Sequence, residues 1–184
     1  RLVGSEMCIR DRVMICCSPS WQANYGMNDD DAVWNFTSYA LQQNPNTRIG
    51  LAMPWEDFPL QYDNASEHRD LTDRGYNLWM NMAGRLSSDF NNADVFTFYH
   101  GEAMYELRHM YEEGNLSDVS QLMGSSDNSL FTDQKGHAGQ IVIDTGTLLW
   151  MAAIHNVEPS SFPEFEDWET DIRVVAQNIL SQDN

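Results

Sequence analysis

The residues with the clearest capacity for chemistry lie in Leu130-Phe131-Thr132-Asp133-Gln134-Lys135-Gly136-His137. An aspartate and a histidine share one short polar loop with a glycine, and a long apolar helical pattern follows from Ile141 to Ile154. Imidazole exchanges protons near neutral pH, and a nearby carboxylate can orient it. Asp133 and His137 are therefore candidates for general acid–base work. The alternative is a helix-entry loop that merely contains both residues. A second stretch, Gly26-Met27-Asn28-Asp29, follows a strand pattern and opens a helix. A glycine turn with an aspartate N-cap accounts for Gly26 and Asp29 but leaves Asn28 unexplained.

The elements that must position these residues are read from hydrophobic period. Val13 to Cys17 is a short continuous apolar run, the pattern of a strand covered on both faces. Asp29, Asp30 and Asp31 supply an N-cap and first-turn acids to a helix with Val33, Phe36, Ala40 and Leu41 inward, stopped by Asn44-Pro45-Asn46. Arg48 to Met53 and Asp94 to Tyr99 read as further strands. Between them lie an aperiodic stretch from Trp55 to Thr72, expected as a functional loop or lid, and a helix from Asp73 to Phe90 facing inward with Leu78, Met82 and Leu86. Helices are expected over Gly101 to Tyr111, with Met104, Leu107 and Tyr111 aligned, and over Val119 to Met123. A last helix from Phe165 to Leu180 would bury Trp168, Ile172, Val175 and Ile179. Strand and helix alternate as in an α/β protein with a parallel sheet, where ligands bind at the carboxyl ends of the strands.

The chain has 184 residues, enough for one domain with a substantial core. It carries 28 acidic and 10 basic side chains, a formal charge of −18, with Lys135 its single lysine. Such a surface repels phosphate backbones, so nucleic acid and anionic membranes are poor partners. Screening by salt would ease its self-repulsion. No apolar run is long enough to span a bilayer. Cys8, Cys16 and Cys17 form no metal spacing, and no glycine-rich phosphate loop is present, so no metal or cofactor is expected. Residues 1–12 hold three of the ten basic side chains without periodicity and resemble a translated sequencing-adapter read-through. They are set apart from the fold as non-native, and residues 13–184 are expected to be part of a single domain that begins upstream.

The G-x-N-D of Gly26 to Asp29 is, roughly, a few-per-cent event in a chain this long at average composition. With the Asp133–His137 loop about a hundred residues later, it resembles the SGNH (GDSL-type) hydrolase superfamily. The resemblance implies a flavodoxin-like three-layer α/β sandwich, incomplete here at the N-terminus, and a Ser-His-Asp triad that cleaves esters, including carbohydrate acyl esters. Asn28 would donate to the oxyanion, His137 would act as base and then acid, and Asp133 would hold the imidazole. The chain departs from the family in two respects. His137 lies four positions after Asp133 where the family has three, with Gln134, Lys135 and Gly136 between, which favours His137 over Asp133 as a match. The Gly-Asp-Ser block and the following glycine block are absent, so the serine is expected upstream of Val13 and the chain as it stands is expected to be inactive.

Trp21, Trp55, Phe58 and Tyr62 could line a sugar- or acyl-binding cleft or could be loop packing. Substrate binding is assigned to Gly26, Trp21 and Trp55. Gly136 and Gly139 are read as turn glycines. His100 and His109 lack a third ligand at a metal spacing and are read as strand-end and helix-surface residues. The alternative for the whole is a non-catalytic α/β module that binds carbohydrate through the aromatic cleft.

Overall fold

In the computed structural model the described residues are 11–15, 32–91 and 93–182. They form a mixed α/β chain with two small parallel sheets and divide into two compact units. One unit takes the residues up to Pro54 together with Arg74–Tyr99, the other Trp55–Asp73 and the residues from His100 onward.

In the first unit, β1 (Asp11–Ile15), β2 (Arg48–Ala52) and β3 (Val95–Phe98) form a parallel sheet in the order β1-β2-β3. Asp11 stands opposite Arg48 and Ile49 opposite Val95. Strands in sequence order form one wing of a doubly wound sheet, which is consistent with an incomplete α/β sandwich. The helix α1 (Ala32–Gln43) connects β1 to β2, and α2 (Ala65–Asp89) lies between β2 and β3 in sequence. Right-handed crossovers place both helices on one face of such a sheet. Accordingly, Trp34 Nε1 on α1 donates to Asp89 on α2 at 2.8 Å. Asn44 ends α1 by accepting the Thr47 amide on its carbonyl and the Asn46 amide on its side chain, both at 3.0 Å.

The core of this unit is Val33, Trp34 and Ala40 against Ile49, Leu51 and Met53, with Trp79, Met82 and Leu86 from α2. Two inward positions differ from the periodic reading: Phe36 is 40% exposed and Leu78 43%. In each helix the buried stripe is turned so that an indole faces inward, Trp34 and Trp79, because the largest apolar side chain gains most from leaving water. Strand β1 begins at Asp11, two residues before the expected Val13, so Asp11 and Arg12 pair with β2 although the sequence sets them apart.

In the second unit the expected loop from Trp55 to Thr72 is largely structured. A 3-10 turn at Pro59–Gln61 precedes α2, which begins at Ala65. Asn64 accepts the Glu67 amide at 2.9 Å, and Glu67 reaches back to the Asp63 amide at 2.6 Å, reproducing capping-box logic. The inner face of this first stretch is Ala65, His68 and Thr72, too polar for apolar periodicity to register.

Helices α3 (Glu102–Glu112), α4 (Gln140–His155) and α5 (Ile172–Gln182) pack on one another and bury Met104, Leu107, Leu148, Leu149, Ile172 and Ile179. The last helix starts later than Phe165: Asp171 caps it by accepting the Arg173 amide at 3.1 Å, while Trp168 ahead of it donates to Asp144 at 3.0 Å. The expected helix over Val119 to Met123 is instead β4 (Gln121–Met123), paired in parallel with β5 (Ser129–Phe131). Five residues between Asp118 and Gly124 are too few to repay helix nucleation. Parallel strands ordinarily need a long crossover, but these advance only about 7 Å, which residues 124–128 can retrace. No helix among the described residues is long and apolar enough to cross a membrane.

Candidate active site

Leu130 and Phe131 are fully buried, and the chain turns back on them at once. Phe131 bridges Ala138 antiparallel, the Gly139 amide donates to the Leu130 carbonyl at 2.7 Å, and the Thr132 amide donates to the His137 carbonyl at 2.7 Å. Residues 132–137 thus close a tight loop whose first acid and last imidazole face each other. Gly136 makes the bend at φ 99°, a conformation that side chains other than hydrogen rarely adopt. Gly139 is required for space: a Cβ there would run into the Ser129 carbonyl.

One oxygen of Asp133 accepts the amides of Lys135, Gly136 and His137 at 2.9, 3.1 and 3.3 Å, and the other lies 2.5 Å from His137 Nδ1. The hydrogen bond from the His137 ring, supported by the amides of His137 and Gly136, holds the Asp133 carboxyl below the usual carboxylate range. An ionised carboxylate can only accept, so Nδ1 carries the proton and the neutral ring keeps its lone pair at Nε2. That is the tautomer a general base needs. Both side chains are solvent-accessible, His137 at 67% and Asp133 at 48%. The four-residue interval does not separate them, because the left-handed glycine folds the extra residue into the turn.

The segment from Trp55 to Pro59 docks against this loop. Trp55 Nε1 donates to the Gly136 carbonyl at 2.9 Å, and the Phe58 amide donates to the Lys135 carbonyl at 2.9 Å. Beside it opens a cleft of about 400 Å³. Trp55, His100 and Trp150 form its aromatic wall; Ala138, Val142, Ile143, Gly146 and Thr147 complete it. The ring of His100 meets Trp55 edge-on at 5.8 Å and lies tilted by 56° against Trp150 at 5.6 Å. Burial pushes the His100 imidazole down to about 4, so it is neutral near pH 7.

A second, buried cluster anchors the docking segment. Arg108 on α3, 2% exposed, donates to Glu112 at 2.7 Å, to the Pro59 carbonyl at 3.0 Å and to the Tyr62 carbonyl at 2.9 Å. His68 Nε2 faces the Glu56 carbonyl at 2.8 Å while its Nδ1 faces Arg108 at 3.2 Å. A carbonyl only accepts and a guanidinium only donates, so His68 is the neutral Nε2–H tautomer. Burial, reinforced by the Arg108 cation, pushes it down to about 4. Tyr62 stacks on its ring at 4.6 Å.

Of the residues singled out in sequence, the structure joins Asp133, His137 and Trp55 in one neighbourhood. Gly26, Asn28 and Trp21, together with all three cysteines, lie outside the described residues. Tyr62 packs on His68, and Phe58 is exposed at φ 59°. His109 sits on the surface of α3 beside Glu113, whereas His100 is a buried cleft residue rather than a plain strand end. Among the described residues no cluster of three or more His, Cys, Asp and Glu is arranged to hold a metal ion. Sequence reasoning passed over His68, Arg108 and Trp150. The signal for Arg108 was its place four residues after Met104 on an otherwise apolar stripe. No family model matches the chain, and neither a curated protein nor a solved structure matches it.

Proposed function

We propose that this chain carries the base-bearing portion of a serine ester hydrolase of SGNH type. His137 is the general base and Asp133 the group that fixes its tautomer. The nucleophilic serine belongs to a Gly-Asp-Ser block outside these 184 residues, and Asn28 would be an oxyanion donor. The observation that supports this reading best is the Asp133–His137 contact, with its carboxylate pinned by three amides and Nε2 left with its lone pair. In the reaction Nε2 takes the serine proton as oxygen attacks the ester carbonyl, then returns it to the departing alkoxide. Asp133 stabilises the imidazolium between the two transfers.

Extending the reading frame upstream and assaying the longer protein on p-nitrophenyl acetate tests this. Turnover should be abolished by His137→Ala and lowered about 10⁴-fold by Asp133→Asn, which supplies the wrong hydrogen-bond partner to Nδ1. An intact frame without a serine block, or full activity in His137→Ala, would overturn the reading. The aromatic cleft favours one alternative, a non-catalytic binding module on the same scaffold. That alternative predicts ligand binding with no turnover in any length of the chain.

A further inference from the structure

We infer that the cleft between Trp55, His100 and Trp150 takes an uncharged aromatic ring, and that the ester cleaved beside it bears such a ring. The second clause rests on the hydrolase reading; the first does not. Three features carry the inference.

The first is charge. The chain has a net charge of −18, yet none of the cleft's lining side chains is Asp, Glu, Lys or Arg. A charged ligand would lose its hydration there and find no counter-ion.

The second is the state of two polar groups in the wall. Trp55 Nε1 is given to Gly136, and the Thr147 hydroxyl donates to the Ile143 carbonyl at 2.8 Å. A sugar ring needs partners for several hydroxyls, and these two groups have already given their protons. The rings of Trp55, His100 and Trp150 present flat aromatic surface, and a further flat ring extends the cluster in which His100 meets Trp55 edge-on and Trp150 at a tilt of 56°.

The third is Gly146, in the interior of α4. Glycine weakens a helix there relative to alanine, and at a buried glycine the usual reason is a neighbour too close for a Cβ. Here a Cβ would meet nothing within 4 Å. Gly146 leaves space within the cleft rather than serving the packing of the helix. About 400 Å³ falls within the size range of small-molecule sites and far exceeds what an acetyl group fills.

The test is a tryptophan-fluorescence titration of the 184-residue chain with methyl benzoate, sodium benzoate and methyl β-glucoside. Methyl benzoate should saturate with a Kd on the order of a millimolar or tighter. Benzoate and the glucoside should bind at least about tenfold more weakly. Gly146→Leu should fill the cleft and remove saturation. Should that variant misfold by circular dichroism, Ile143→Asp is used instead. Ile143 is 47% exposed, so the charge is tolerated by the fold but should weaken methyl benzoate binding at least about tenfold. Quenching without saturation, equal binding in the variant, or tighter binding of the glucoside or of benzoate would each overturn the proposal. The two readings fail separately. A chain that binds methyl benzoate but whose extended form cleaves no ester refutes the hydrolase and keeps the ring site. An active acetyl-esterase that ignores methyl benzoate refutes the ring site alone.

Discussion

Trp55 Nε1 donates to the carbonyl of Gly136 at 2.9 Å, across 81 residues of sequence. One side chain therefore walls the aromatic cleft and also braces the turn that presents His137. Replacing Trp55 by Phe keeps a flat ring and removes the donor, leaving the Gly136 carbonyl to find water. A loss of about 0.5–1.5 kcal/mol is expected in urea unfolding. The Nδ1 proton of His137 should exchange faster in proton NMR spectra, and an unchanged exchange rate would show that the brace does not reach the histidine.

Arg108 holds the segment that carries Trp55. Arg108→Met would strand a partly buried Glu112 carboxylate and the carbonyls of Pro59 and Tyr62. Leaving a buried acceptor without its donor costs about 1–3 kcal/mol, and Glu112, its side chain 27% exposed, keeps part of its hydration. The double variant with Glu112→Gln should be less destabilised than the sum of the two single changes, since the stranded charge is gone. Strict additivity in denaturant midpoints would mean that the pair acts independently.

His68 and His100 are both held near 4, against 6.5 in an unfolded chain. Between those values the unfolded state binds more protons, so stability falls as pH falls from 6.5 toward 4. Each lowers stability by up to about 3 kcal/mol by the bottom of the window. Asp133, lowered by His137, acts in the same direction further down: its contribution is lost as pH falls through its folded value. Urea midpoints at pH 7 and 4.5 should differ less in His100→Phe than in the parent, and an equal difference would show that His100 already ionises in the folded state.

Two glycines should respond in opposite senses to alanine. Gly136 has φ 99°, and a Cβ there would approach Pro59 Cδ to 2.8 Å, so Gly136→Ala should cost at least about 1 kcal/mol. Gly146 is helical with open space beside it, and Gly146→Ala should gain about 0.5–1 kcal/mol. Thermal midpoints of the two variants would settle the signs.

Where apolar side chains set the period, the sequence was legible. The long helix after His137 begins and ends within a residue of its expected bounds, and β2 and β3 lie where continuous apolar runs predicted them. Legibility failed where polar residues face inward. His68 and Thr72 concealed the first turns of α2, although Asn64 and Glu67 announced them in capping-box spacing. It failed again at Gln121–Met123, whose partner strand is recruited by a serine-rich turn that carries no hydrophobic period. The Asp133–His137 contact was legible in composition but not in spacing, because an interval counted along the chain takes no account of a left-handed glycine. The brace from Trp55 was beyond reach of any local pattern.

Asp133 and His137 close a loop of only five residues, whereas Trp55 reaches them from 81 residues away. Chain entropy penalises the second closure far more than the first. The carboxylate–imidazole contact should therefore assemble early during folding, on the time scale of a turn, and outlast partial opening of the unit. The cleft wall should come last and leave first. In a chain warmed toward its transition, the turn would still hold its proton acceptor in place after the surface beside it had gone.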